Sequence, residues 1–119
     1  AAVERHLHEF NFPGGLATSE TDSGTQWDLP FGWAPTQWLA VQGLDLYGFH
    51  QDARTIARNF TSTVLTNYKR DGTIREKYNV VDGSANIRVS AGYTANVVGF
   101  GWTNAVYLRL TQLLESPAN

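Results

Sequence analysis

The chain reads as an all-α protein, helices joined by long glycine-rich connections, and as one whose helices cannot complete a core on their own. Three observations carry this. Between Asp52 and Arg70, the residues Ala53, Ile56, Ala57, Phe60, Val64 and Asn67 recur at the helical period. The stretch 35–49 is apolar on more than one side, with Trp38, Val41 and Leu44 in one row and Leu39, Gly43, Leu46 and Tyr47 in another, so it wants neighbours in several directions. The stretches 16–35 and 73–101 have no helical period, and connections of such length in a compact domain are functional or disordered.

Taken in order, Ala2 to Phe10 forms a short helix with Leu7 and Phe10 on one side and Glu4 and Arg5 outward, stopped by Pro13-Gly14-Gly15. Thr18, Ser19, Thr21, Ser23, Gly24 and Thr25 mark loop. Pro35 opens the next helix, which runs to about Phe49, because its fixed φ suits the first helical position and its missing N–H costs nothing there. This helix is expected to be largely buried. Asp52 is placed as the N-cap of the third helix. Arg54, Arg58, Thr61 and Ser62 fall off its apolar stripe, Lys69-Arg70 suit the dipole of its last turn, and Asp71-Gly72 ends it. Ile74 to Tyr78 alternates like a strand, so Ile74, Glu76 and Tyr78 share one side while Arg75 and Lys77 face the other. A last helix spans Trp102 to Glu115, with Val106, Leu110, Leu113 and Leu114 inward and Pro117 as its stop. The helices so placed leave apolar faces uncovered, so either copies of the chain associate or further helices lie on another polypeptide.

The 119 residues allow one domain. Nine basic and eleven acidic residues are dispersed without a block of like charge, which argues against nucleic acid and anionic membrane surfaces as partners. No apolar run reaches bilayer-spanning length. Cysteine is absent, which excludes disulfides, thiolate metal sites and a cysteine nucleophile. His6, His8 and His50 lack metal-ligand spacing. Methionine is also absent and the chain opens Ala1-Ala2-Val3, so translation is expected to start elsewhere. Asn59-Phe60-Thr61 matches the glycosylation sequon, though Asn59 lies beside the apolar stripe of a helix.

The most informative segment is Gln26-Trp27-Asp28-Leu29-Pro30-Phe31-Gly32-Trp33-Ala34-Pro35. Its two prolines stiffen it and bar a long helix. Flat aromatic faces beside an amide and a carboxylate suit sugars, whose C–H faces stack on rings while their hydroxyls take bidentate partners. The other reading is a buried loop that fills space with large aromatic side chains. Glu76 is open to two readings as well, an acid among apolar and aromatic neighbours or a surface glutamate in a basic neighbourhood. Gly99-Phe100-Gly101-Trp102 places glycines around aromatics ahead of a helix, which serves either close backbone approach to a ligand or simple turn geometry.

These motifs together resemble a known family. The segment Gln26–Pro35 followed by Thr36-Gln37-Trp38 is similar to the second signature of the family 37 α,α-trehalases. Pro13-Gly14-Gly15-Leu16-Ala17-Thr18 before it, and Arg75-Glu76-Lys77-Tyr78 and Gly99-Phe100-Gly101-Trp102-Thr103-Asn104 after it, recur in that family in the same order. The resemblance runs from about Pro13 to Leu114. It implies the C-terminal helices of an (α/α)6 barrel with long active-site loops, incomplete on its own, the whole of 1–119 being one segment of a single catalytic domain. It also implies inverting hydrolysis of trehalose to two glucoses, without metal or cofactor.

Inversion uses a carboxylic acid on the glycosidic oxygen and a carboxylate that activates water on the opposite face, roughly 6.5–9.5 Å apart. The resemblance maps the general base onto Glu76 and leaves the general acid, an upstream aspartate in the family, without a counterpart here. It places Gln26, Trp27 and Trp33 in the glucose subsites, Asp28 there as a hydroxyl acceptor or loop-orienting group, and Phe100 and Trp102 in an aromatic wall. It further implies trehalose and the remainder of the barrel as partners, and a periplasmic or secreted location ahead of a cytoplasmic one. Two positions depart from the family pattern: Tyr93 follows Ser90-Ala91-Gly92 where a sugar-contacting glutamate is usual, and Asn79 stands in place of an aspartate. Alternatives from other classes are a non-catalytic carbohydrate-binding α/α domain and a related (α/α)6 α-glucosidase acting on another disaccharide.

Overall fold

The computed structural model describes residues 2–92 and 94–117. The element order is α1 (Ala2–Phe10), β1 (Asn11–Phe12), β2 (Gly15–Leu16), β3 (Phe31–Trp33), α2 (Ala34–Leu46), α3 (His50–Asp71), β4 (Lys77–Asn79) and α4 (Gly101–Glu115). Helices α2, α3 and α4 pack on one another around Val41, Leu44, Ile56, Phe60, Val106 and Leu110. The all-α expectation holds, with two small antiparallel pairs of strands added to it.

Helix α3 is the spine of this core. All six residues of its sequence stripe are buried, and Gly72 ends it in the left-handed conformation, φ 71°, its N–H donating to Tyr68 O at 2.7 Å. Two details differ from the sequence reading. Asp52 lies within the first turn rather than capping it, and Phe49 occupies the cap without a side-chain bond. Thr61 is buried although it lies off the stripe; its hydroxyl donates to Ala57 O at 2.8 Å, so the helix itself satisfies the polar group that burial would otherwise penalise. Arg54 also turns inward at its tip, its guanidinium donating to Leu113 O at 2.9 Å and Leu114 O at 2.7 Å. Those carbonyls belong to the last turn of α4, where no intrahelical donor remains.

Helix α2 starts one residue before Pro35 and stops at Leu46, short of Phe49. The reason is Gly48, whose φ of 86° reverses the chain while Phe49 N–H donates to Leu44 O at 2.8 Å. The expectation that this helix is largely buried is met on one face only within this chain. Ala34, Gln37, Val41 and Leu44 face the core, while Leu39, Leu46 and Tyr47 are 70%, 83% and 80% exposed. Between α1 and α2 runs an apolar groove of about 840 Å³, lined among others by Val3, Leu7, Phe10, Leu39 and Tyr47.

The loops are tied to the helices by strand pairing and close glycine contacts. β1 pairs with β2 as a hairpin, Phe12 opposite Gly15. β3, inside the stretch read as loop, pairs with β4 in the register Phe31–Asn79, Gly32–Tyr78, Trp33–Lys77. A Cβ on Gly32 would lie 2.4 Å from Val80 Cγ1 and 2.6 Å from Leu16 O, and one on Gly14 would lie 2.7 Å from Val80 O, so both positions admit only glycine without displacement. Buried Gln37 joins α2 to β2, its Nε2 donating to Leu16 O at 2.6 Å and its Oε1 accepting from Leu16 N–H at 2.7 Å.

Candidate functional site

The strand predicted over Ile74–Tyr78 is observed three residues later, over Lys77–Asn79, with a bend at Glu76. That bend changes the side-chain geometry. In a continuous pleat, neighbours point to opposite faces. Here Glu76 and Lys77 lie on the same side, Lys77 Nζ donating to Glu76 Oε2 at 2.7 Å, and both are buried, at 1% and 0% exposure. The surface reading of Glu76 therefore fails. Its backbone is held on both sides: its N–H donates to Val97 O at 2.9 Å, and Thr103 Oγ1 approaches its carbonyl at 3.4 Å.

The β3–β4 register sets Trp33 directly opposite Lys77, and the ammonium sits 4.9 Å from the indole centroid, a cation–π distance. Trp33 is itself buried and is the hub of an aromatic cluster. Trp27 stacks on it at 3.8 Å and 5°, Trp102 meets it edge-on at 6.0 Å, and Phe100 lies 4.8 Å from Trp102. Trp27 and Trp102 keep 45% and 37% of their surface exposed, so they present the accessible faces of this cluster while Trp33 backs it. The indole N–H of Trp33 donates to Gln26 O at 2.8 Å. Gln26 Oε1 is buried without a hydrogen-bond partner among the described residues, an arrangement that costs about 1–3 kcal/mol unless a donor reaches it.

Asp28 stands apart from this group. Its Oδ1 accepts from Ser19 at 3.0 Å, and its Oδ2 from Thr25 at 3.1 Å and from Ser23. These hydroxyls, Ser23 first, hold its carboxyl below the usual carboxylate range. A carboxyl whose folded pKa is depressed stabilises the fold above its unfolded pKa and loses that contribution as pH falls through the folded value. The gap in thermal midpoint between the parent protein and Asp28→Ala is therefore expected to be constant from neutrality to about pH 4 and to narrow below it. A gap that widens on acidification contradicts the assignment.

Several residues that shape the site gave no sequence signal. Asn96 clips β4 from outside: its Nδ2 donates to Lys77 O and Ala85 O, each at 2.9 Å, and its Oδ1 accepts from Lys77 N–H at 3.2 Å. Asn67, read only as the end of an apolar stripe, donates to Gly83 O at 2.8 Å and accepts from Ala85 N–H at 3.1 Å. Asn96 lies in a loop, where no periodicity operates, and the period that places Asn67 on the inner face of α3 does not say which backbone it will meet.

A family model described as Trehalase matches residues 2–115. The chain belongs to the trehalase family. Periplasmic trehalases of Salmonella paratyphi B and Salmonella newport are each 41% identical to it over 114 residues, covering 96% of this chain and 19% of theirs. Among solved structures, the neutral trehalase Nth1 from Saccharomyces cerevisiae matches with a TM-score of 0.73 and 31% identity, over 96% of this chain and 20% of that one. The chain thus spans about a fifth of the length of the relatives it matches. Its helices and small sheets match part of a trehalase structure, consistent with the (α/α)6 expectation.

The departures from the trehalase pattern can be placed in part. Asn79 sits at the end of β4, where its Oδ1 accepts the N–H groups of Val81 and Asp82 at 3.0 and 3.2 Å. An aspartate would make the same turn, so here the exchange preserves the local hydrogen bonds. Tyr93 lies outside the described residues. Asn59 of the sequon is half-buried and donates to Phe12 O at 3.2 Å. Among the described residues no helix is long and apolar enough to cross a membrane.

Proposed function

We propose that this chain supplies the general base and part of the glucose subsites of an inverting α,α-trehalase, and that residues 1–119 form one segment of a single (α/α)6 catalytic domain. The observation that carries this reading is the convergence of Glu76 with Trp27, Trp33, Phe100 and Trp102, Lys77 touching both Glu76 and Trp33 where β3 pairs with β4. Residues far apart in sequence are gathered into one cluster of contacts, in a family of hydrolases.

In this mechanism Glu76 takes a proton from water as the water oxygen bonds to the anomeric carbon. The bond from that carbon to the bridging oxygen breaks, and an acid from outside this chain protonates the departing oxygen. Trp27 and Trp102 stack on the sugars, with Phe100 beside Trp102 and Trp33 as their support. Gln26 Oε1, buried and unpaired among the described residues, accepts a hydroxyl. Asp28 shapes the loop that presents Gln26 and Trp27. The remainder of the barrel covers the α1–α2 groove and the exposed Leu39, Leu46 and Tyr47. The location is periplasmic or secreted, a reading supported by the periplasmic trehalases among the relatives.

The test is to incubate trehalose with the complete polypeptide and with this chain alone, following products by NMR before mutarotation. Inversion gives α- and β-glucose in equal initial amounts from the complete polypeptide, and nothing from the chain alone. Only α-glucose at early times contradicts inversion. Binding without turnover by the complete polypeptide contradicts the enzymatic reading, and faster turnover of another α-linked glucoside contradicts the substrate.

A further inference from the structure

We infer that Lys77 is a positioning residue for Glu76, holding the carboxylate and the aromatic wall in one fixed relation; this rests on the reading of Glu76 as the base. A lysine with no exposed surface is a costly residue, and it persists where its charge is compensated. Among the described residues Lys77 finds compensation in a carboxylate and in an aromatic face. Its Nζ donates to Glu76 Oε2 at 2.7 Å, and it sits 4.9 Å from the Trp33 ring centroid. Through Trp33, stacked at 3.8 Å on Trp27, a single ammonium ties the carboxylate to the ring that faces ligand.

The backbone of Lys77 is fixed independently of its charge. It pairs with Trp33 across the β3–β4 ladder, and Asn96 donates to its carbonyl and accepts its N–H. The ammonium therefore starts from an anchored strand, and its reach to Glu76 follows from the bend that turns both side chains the same way. A base that must aim a water at one carbon gains from this, because small displacements of a reacting group cost large factors in rate.

The experiment is a double-mutant cycle in the complete polypeptide with trehalose as substrate, using Lys77→Met, Glu76→Gln and the pair. Lys77→Met keeps the length of the side chain and removes the charge. The expected result is a fall in kcat of about 10–10³-fold with KM changed less than about threefold, and little further loss when Lys77→Met is added to Glu76→Gln. Thermal unfolding gives a second reading. Lys77→Met removes the ammonium 2.7 Å from a buried carboxylate, so the pair is expected to melt above Lys77→Met alone.

Equal losses on both backgrounds, or a normal kcat in Lys77→Met, overturn the inference and leave the base assignment standing. A near-normal rate in Glu76→Gln alone removes the base assignment instead. If Lys77→Met fails to fold, Lys77→Gln enters the same cycle with the same criteria.

Discussion

On the proposed role of Glu76, replacing it with glutamine is expected to lower the trehalose kcat/KM of the complete polypeptide by at least about 10²–10⁴-fold, the contribution of a general base. Glutamine keeps the size of the side chain and an oxygen able to accept from Lys77, so packing around the buried pair is largely preserved. What it loses is the ability to take a proton from water. The loss belongs in kcat, because the proton moves only as the bond to the anomeric carbon forms, and KM for trehalose is expected to shift little. Steady-state kinetics together with a thermal melt settle the point. A normal rate from a folded Glu76→Gln protein means that the base lies elsewhere.

The largest expected effect on stability comes from Phe60→Ala, which should cost about 3–5 kcal/mol. Phe60 is fully buried on α3 and meets the Tyr78 ring edge-on at 6.0 Å. A Cβ on Gly15 would lie 3.1 Å from its ring. The side chain therefore fills the space between the helical core and the strands that carry the site. Tyr78 is itself pinned, its hydroxyl oxygen accepting from Arg75 N–H at 2.9 Å, and burial pushes its phenol upward. The cavity left by alanine cannot collapse without moving β4, which also carries Lys77. Urea unfolding measures the effect, and a cost below about 1 kcal/mol would show that the site strands do not lean on this ring.

The same residue illustrates how much was legible beforehand. Phe60 belongs to a six-residue stripe at a single period, and every member of that stripe is buried. Helix boundaries fell within a few residues because proline and glycine announce themselves, as at Pro35 and Gly72. The site was legible in a different way. Glu76 and the aromatics were singled out by motifs in a fixed order along the chain, whereas their spatial relation was not. An alternating pattern assumes an unbroken strand and so puts Lys77 on the face opposite Glu76; the bend at Glu76 breaks it. The structural roles of Asn96, Asn67 and Gln37 leave no mark in the sequence for a related reason. Each satisfies backbone groups of a segment distant in sequence, and no local pattern encodes which segment that is.

By itself the sequence determined the helices, the uncovered apolar face of α2 and the order of the motifs. These follow from local rules: periodicity chooses the buried side, and proline and glycine limit backbone dihedrals. Only the tertiary structure decided that Trp33 faces Lys77, that Glu76 and Lys77 form a buried pair, and that Asp28 spends its oxygens on its own loop. Those outcomes depend on strand register and on a single bend. They are fixed by close packing between segments tens of residues apart, where a contact of a few ångströms decides which charge finds which partner.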